Sequence, residues 1–189
     1  DVEEVHEDHP SPARRWIVVA LAAVAIVAVA FAIGRFTAFG ASSAPVYPST
    51  VSADAGFARD MQVHHTQAIE MAMEIYRKTD DPELRILSYD IATTQSGQRG
   101  EMFGWLVQWG LTQSGGPLMA WMADSDEHSH GDTSQKTDAE LRAEMGMATD
   151  AQLADLRAAT GTTADCLFLE LMIRHHEGAI PMAEAIIEL

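Results

Sequence analysis

The chain has 189 residues, with 28 acidic against 12 basic side chains and a formal charge of −16 at pH 7. That excess repels phosphate backbones and excludes nucleic acid as a partner, while a negative surface attracts cations weakly. Cys166 is the only cysteine, so neither an intrachain disulfide nor a thiolate cluster can form, and any metal site must draw on His, Met and carboxylate.

In chain order, residues 1–15 are a polar, acidic tail with too little apolar content to fold. Trp16 to Gly34 then runs 19 residues without a charge, enough to cross a hydrocarbon core of ~30 Å at ~1.5 Å per residue. Arg14 and Arg15 precede this run, which places the tail in the cytoplasm and everything after the span outside. The apolar run is longer than the core of a cleaved signal peptide, whose cut would fall after Ala44, so residues 16–39 are read as a single-pass signal anchor in the cell membrane. Residues 40–53, small and Pro-containing, form the linker to an extracytoplasmic helical domain at 54–189.

Within that domain Phe57, Met61, His64, Ala68, Met71 and Ile75 are spaced by three and four, the signature of one helix face. The helix stops near Thr79, and Pro82 opens a second one at about Glu83 to Trp109. Gly97, Gly100 and Gly104 interrupt the second helix at ~1 kcal/mol each, which predicts a smooth groove for close helix packing. Thr137-x-x-Glu140 and Thr149-x-x-Gln152 are capping-box patterns for two short helices, the second ended by Gly161. A last helix, capped by Thr163 or Asp165, reaches Leu189. The absence of an alternating pattern makes the fold class all-α, a helical bundle.

The most informative feature is a repeat. Asp54 to Ile75 and Asp165 to Ile186 match at an offset of 111 with ten identities in 22 positions, and both carry M-x-x-H-H-x5-M. A duplicated helix implies an approximate two-fold axis. Each first-repeat element has one long partner helix after it; the second has none, so either the chain is truncated at the C-terminus, the simplest reading, or another molecule or the short helices at 138–160 take the fourth place.

Met61 lies three and four residues before His64 and His65, so thioether and imidazole share a face, and Met172, His175 and His176 repeat this. Adjacent histidines diverge by ~100°, so one of each pair points inward and the other to a flank. Met71 and Met182 follow two turns on. Where carboxylate bundles use Glu-x-x-His, this chain has methionine, a soft donor that favours copper, with zinc as an alternative for the imidazoles. Asp60, Glu70, Glu74, Glu101 and Glu177 are candidate carboxylate ligands or orienting acceptors. His128 and His130, in an acidic loop, are a weaker candidate, with Met119, Met122, Met145 and Met147 on either side. Against this stands packing: methionines at helical spacing commonly fill cores, and buried histidines are commonly hydrogen-bonded structural residues.

The segments FLELMIRHHEGAIPMAEAI and FARDMQVHHTQAIEMA, with Gln98-x-x-Glu101 and Trp105-Leu106 between them, resemble the family known as domain of unknown function 305. The resemblance covers about Asp54 to Leu189. It implies a ferritin-like bundle, a bacterial cell-envelope location and a copper role carried by Met61, His64, His65, Met71, Met172, His175, His176 and Met182. Two departures accompany it: the helix that usually follows the second block is missing, and Thr66-Gln67 stands where the second repeat has Glu177-Gly178.

Three functions follow from this reading. The first is a membrane-anchored protein that sequesters or transfers copper through Met and His ligands. The second is an accessory or structural subunit of a membrane protein complex, or a homo-oligomer, with the histidines in packing roles. A metalloenzyme is the third, and no nucleophile–base pair supports it beyond the histidines.

Overall fold

The computed structural model describes residues 12–40, 45–123 and 136–189, with the side chains of 12–15, 18 and 36–40 outside that description. Every regular element among the described residues is helical: α1 (Pro12–Gly40), α2 (Ala53–Lys78), α3 (Pro82–Gln108), a 3-10 turn (Ala120–Met122), α4 (Asp138–Glu144), α5 (Asp150–Ala158) and α6 (Gly161–Glu188). The chain divides into two units, one ending at Val46 and the other running from Tyr47 to Leu189.

In the first unit, α1 has 29 residues and exposes every described side chain, Trp16, Leu21, Val27 and Phe31 among them. Among the described residues no helix is long and apolar enough to cross a membrane.

In the second unit, the capping chemistry works as the sequence pattern predicts at most ends. Ser52 caps α2 by accepting from Ala55 N, and Thr79 closes it. Asp81 accepts from Glu83 N and Leu84 N, with Pro82 in the first turn of α3. Both capping boxes are formed, Thr137 with Glu140 and Thr149 with Gln152. The exception is the start of α6. Gly161, expected to end α5, instead opens α6 with φ +58°, behind Thr160. Neither Thr163 nor Asp165 caps the helix; α5 ends two residues earlier, at Ala159. Lys78 explains how that end is closed, since its ammonium donates to the carbonyls of Leu156, Arg157 and Ala159 at 2.8, 2.7 and 3.1 Å, a cation on the C-terminal carbonyls of α5.

α2 is the central element: α3 packs along one face and α6 along another. Two apolar clusters flank the α2–α6 contact. One gathers Met61, Met102, Leu106, Met119, Trp121, Met122, Leu141, Met145, Met147 and Met182. The other gathers Met71, Ile75, Leu84, Leu153, Leu156, Phe168, Leu171 and Met172. Met61 thus shares a cluster with Met182, and Met71 with Met172. This pairing is that of antiparallel repeats: the thioether three residues before one inner histidine shares a cluster with the one seven residues after the other.

The connection after α4 crosses α6 at close range. A Cβ on Gly178 would lie 2.3 Å from the Met145 carbonyl carbon, and one on Gly146, itself at φ +70°, 2.2 Å from the Arg174 oxygen. The glycines of α3 have the opposite character. A Cβ on Gly97, Gly100 or Gly104 would meet nothing within 4 Å, so the groove they were expected to offer to a packed helix faces open space.

The glycine crossing makes a direct prediction. Gly178→Ala should lower the melting temperature of the full chain, because overpacking against backbone costs about 1–3 kcal/mol. Gly100→Ala should leave it unchanged or raise it, as alanine gains ~1 kcal/mol of helix propensity. Thermal melts followed by circular dichroism read both, and an unaltered melt for Gly178→Ala would mean that the crossing is not this close.

Candidate functional site

Helical phase decides which histidine of each pair points inward. His64 and His175 are 2% and 0% exposed, while His65 and His176 stand on the flanks. The inner rings stack, with centroids 3.6 Å apart and planes inclined by 29°. Each outer ring lies about 6 Å from its neighbour, 6.2 Å for His64–His65 and 6.1 Å for His175–His176. Four imidazoles, two from each repeat, therefore meet where α2 crosses α6.

Their hydrogen bonds fix the tautomers. His64 Nε2 lies 3.1 Å from the Met145 carbonyl oxygen and 3.0 Å from that of His175. Carbonyls only accept, so Nε2 carries the hydrogen and Nδ1 keeps a lone pair. His65 Nε2 donates to Gln98 Oε1 at 2.9 Å. His176 is fully engaged, donating from Nδ1 to the Met172 carbonyl at 2.8 Å and accepting from Gln95 Nε2 at 3.3 Å. Four ring nitrogens remain buried without a hydrogen-bond partner: His64 Nδ1, His65 Nδ1, and both nitrogens of His175. As His175 is neutral, one of its two nitrogens bears a hydrogen, so these are three lone pairs and one N–H, and buried polar atoms of this kind carry a free-energy penalty unless something binds them.

Burial also sets the charge. It pulls His64 down to about 4 and His175 to about 2, with the neighbouring imidazoles adding repulsion in both cases. His65 is lowered as well, chiefly by burial, against the opposing bond from Gln98. At neutral pH these three rings are neutral, the protonation state in which imidazole ligates a metal.

The candidate methionines and Met102 are all buried, Met71 and Met182 at 0% exposure, Met102 at 4% and Met61 and Met172 at 5%, and what separates them is whether they line a cavity. Met61 lines one of about 310 Å³ between α2 and α3 together with Phe57, His65, Gln98, Glu101, Met102 and Trp105. Met102 was missed by the sequence reading; its signal was the 3,4 spacing of Gln95, Gln98 and Met102 on α3. Met119, Met122, Met145 and Met147 are core residues.

Most candidate carboxylates are already engaged. Asp60 accepts from Met119 N at 2.7 Å and Trp121 Nε1 at 2.9 Å, and burial raises its pKa. Glu70 pairs with Arg157, and Glu74 with Arg77 and Lys78. Glu101 borders the cavity, while Glu177 is exposed. Among the described residues no three His, Cys, Asp or Glu side chains form a group able to hold a metal ion. His128 and His130 lie outside the described residues.

The family model described as domain of unknown function DUF305 matches residues 54–189, a span that includes both histidine pairs and runs from the second residue of α2 through α6. The chain belongs to this family. Two solved DUF305 structures resemble it. One, from Streptomyces coelicolor and described as a candidate secreted protein, is 43% identical with a TM-score of 0.61, covering 74% of this chain and 74% of that one. The other, a DUF305 fragment from Deinococcus radiodurans, is 28% identical with a TM-score of 0.56, covering 74% of this chain and 76% of that one. No curated protein shows significant similarity to the chain.

The two inner rings give this DUF305 chain a pH signature. An unfolded histidine titrates near 6.5, whereas folded His64 does so at about 4 and His175 at about 2. Below pH ~6.5 the unfolded chain takes up protons that the folded chain refuses, so stability is full above that value and falls as pH drops toward 4. Asp60, with its raised pKa, acts in the opposite sense at lower pH. Melting temperatures of the full chain should decrease from pH 7 to pH 5, and a flat profile there would mean that the inner rings are solvated.

Proposed function

We propose that the protein is a membrane-anchored, extracytoplasmic copper-binding protein that sequesters the ion or passes it on. The observation that carries this reading is the cavity where Met61, Met102 and Glu101 surround His65, a neutral imidazole with an unpartnered Nδ1. Two thioethers and an imidazole form a soft donor set suited to Cu(I), and zinc fits such a set less well. The His64 ring lies 6.2 Å from that of His65 and stacks on His175, and these two rings carry further unpartnered nitrogens. The donor residues thus fit copper as cargo. Met71, Met172 and Met182 are better explained as core filler, since no opening reaches them among the described cavities.

Location is argued from α1 and from similarity. The uncharged run of 19 residues from Trp16 to Gly34, with two arginines before it, suits a single span with the domain outside. The Streptomyces coelicolor relative, described as a candidate secreted protein, supports an extracytoplasmic domain.

A second reading has one observation in its favour. His64 Nε2 bridges two backbone carbonyls across three segments, a structural task that needs no metal. In that reading the protein is an accessory subunit of a membrane complex and the histidines are packing residues.

Cu(I) competition titration of the full chain in detergent separates the two. Met61→Leu with Met102→Leu keeps volume and should weaken Cu(I) binding by about ten-fold or more while changing stability by less than ~1.5 kcal/mol. His64→Ala with His65→Ala should abolish tight binding. Equal affinity in all three proteins would leave the accessory-subunit reading. For topology, protease added to intact cells should digest the domain from about residue 45 onward and spare the N-terminal tail; a protected domain would reverse the orientation.

A further inference from the structure

α2 and α3 enclose a second cavity, of about 320 Å³, that shares no lining residue with the imidazole cavity. Its polar walls are Arg59, Gln62, Thr66, Ser96, Arg99 and Gln113. No carboxylate lines it, although the chain carries 28 acidic residues against 12 basic ones. Local charge here is opposite in sign to the charge of the whole molecule.

The hydrogen-bond inventory sharpens this. Arg59 is buried at 6% exposure and spends three donors on uncharged acceptors: Nε on the Thr112 carbonyl at 3.0 Å, Nη1 on the Thr50 carbonyl at 2.8 Å and Nη2 on Thr50 Oγ1 at 3.1 Å. Arg99 uses one, from Nη1 to Thr66 Oγ1 at 3.3 Å. A guanidinium has five N–H donors and no acceptor, so both arginines keep donors to spare. Neither forms an ion pair among the described residues; Asp60, the sequence neighbour of Arg59, accepts from Met119 N and Trp121 Nε1 and interacts with the Arg59 charge only through space. Gln62 Nε2 donates to the Ala58 carbonyl at 3.0 Å and to Gln113 Oε1 at 3.4 Å, Gln113 Nε2 to the Phe103 carbonyl at 3.1 Å, and the Thr66 and Ser96 hydroxyls to the carbonyls of Gln62 and Ala92 at 2.8 and 2.6 Å, so the spare donors of this wall are chiefly those of the two guanidinium groups. A carboxylate-free cavity lined by two arginines with donors to spare matches an oxyanion, which accepts from several donors at once.

We propose that this cavity is a binding site for a small oxyanion, the carboxylate or phosphate group of a low-molecular-weight ligand, independent of the imidazole cavity. The volume is at the small end of ligand pockets, so a compact acid fits and a polymer does not. Gly100 supplies part of the wall, and a Cβ there would meet nothing within 4 Å, so the absence of a side chain keeps the cavity open.

Isothermal titration of the full chain in detergent at low ionic strength tests this, with succinate and inorganic phosphate as separate probes to distinguish carboxylate from phosphate ligands. At least one probe should bind saturably at a single site. Arg99→Gln should weaken that binding about ten-fold, as should Gly100→Leu, which fills the cavity without removing charge. Arg77→Gln, at an exposed arginine paired with Glu74, should leave it unchanged. Each variant should retain the helical circular dichroism spectrum of the parent. Failure of both probes to bind the parent saturably would overturn the proposal, as would wild-type affinity in Arg99→Gln and Gly100→Leu, or an equal loss in Arg77→Gln, which would reduce the effect to diffuse attraction.

Discussion

The face-to-face contact of His64 with His175, at 3.6 Å between centroids, is the constraint on which the domain turns. Two imidazoles can stack this closely only while they are uncharged, because protonating either would place a cation in a dry site against its neighbour. Burial keeps them neutral. Such burial in turn requires α2 and α6 to approach closely and the loop after α4 to cover the contact, which is why Gly146 and Gly178 meet backbone to backbone. His64 then binds that loop through the Met145 carbonyl and the opposite helix through the His175 carbonyl. The outer histidines, the two methionine-bearing clusters and the cavity beside His65 take their positions from this crossing.

The repeats are alike at the crossing and different around it, and the differences have structural causes. Gln67 and Gly178 occupy equivalent positions and face the same loop. Gln67 exchanges two hydrogen bonds with Ala148, to its oxygen at 2.9 Å and from its nitrogen at 2.7 Å. Gly178 instead provides clearance for Met145 and Gly146. Asp60 anchors the segment around Met119 and Trp121, whereas the equivalent Leu171 is an apolar core residue at 1% exposure. One loop and one segment, each present once, are thus served by two copies of a helix, so the copies could not stay identical.

The flanks differ for a related reason. α3 follows α2 and engages it through His65–Gln98 and the Tyr76–Tyr89 ring contact at 6.0 Å. The equivalent face of α6 exposes Leu169, Ile173, Ile180 and Ile187 at 39%, 58%, 53% and 84%. Around His65 the α3 helix lines a cavity with Met102, Glu101 and Trp105; at His176 it supplies the amide of Gln95. The proposed copper chemistry therefore belongs to one side of a nearly symmetric centre, because the second thioether, Met102, and the carboxylate, Glu101, come from outside the repeat.

The sequence by itself determined the all-helical class, both capping boxes, the α2 boundary at Thr79 and the meeting of two histidine pairs, because these rest on local spacing and on duplication. Helical phase alone predicted that one ring of each pair would be inward. Tertiary structure decided the rest. The M-x-x-H-H spacing is identical in both repeats and carries no direction of approach, so only the packed helices could reveal the antiparallel pairing of Met61 with Met182. Gly97, Gly100 and Gly104 looked like a packing groove, but glycine records only the absence of a side chain, and here the space belongs to solvent and to a cavity rather than to another helix. Gly161 moved from the end of one helix to the start of the next because its left-handed backbone suits either turn, and Lys78, some 80 positions away in sequence, closes α5 in its place. Charge was the least legible property. The composition says strongly acidic, yet where carboxylates are engaged elsewhere and two arginines face one cavity, the local balance reverses, and no sum over the chain contains that information.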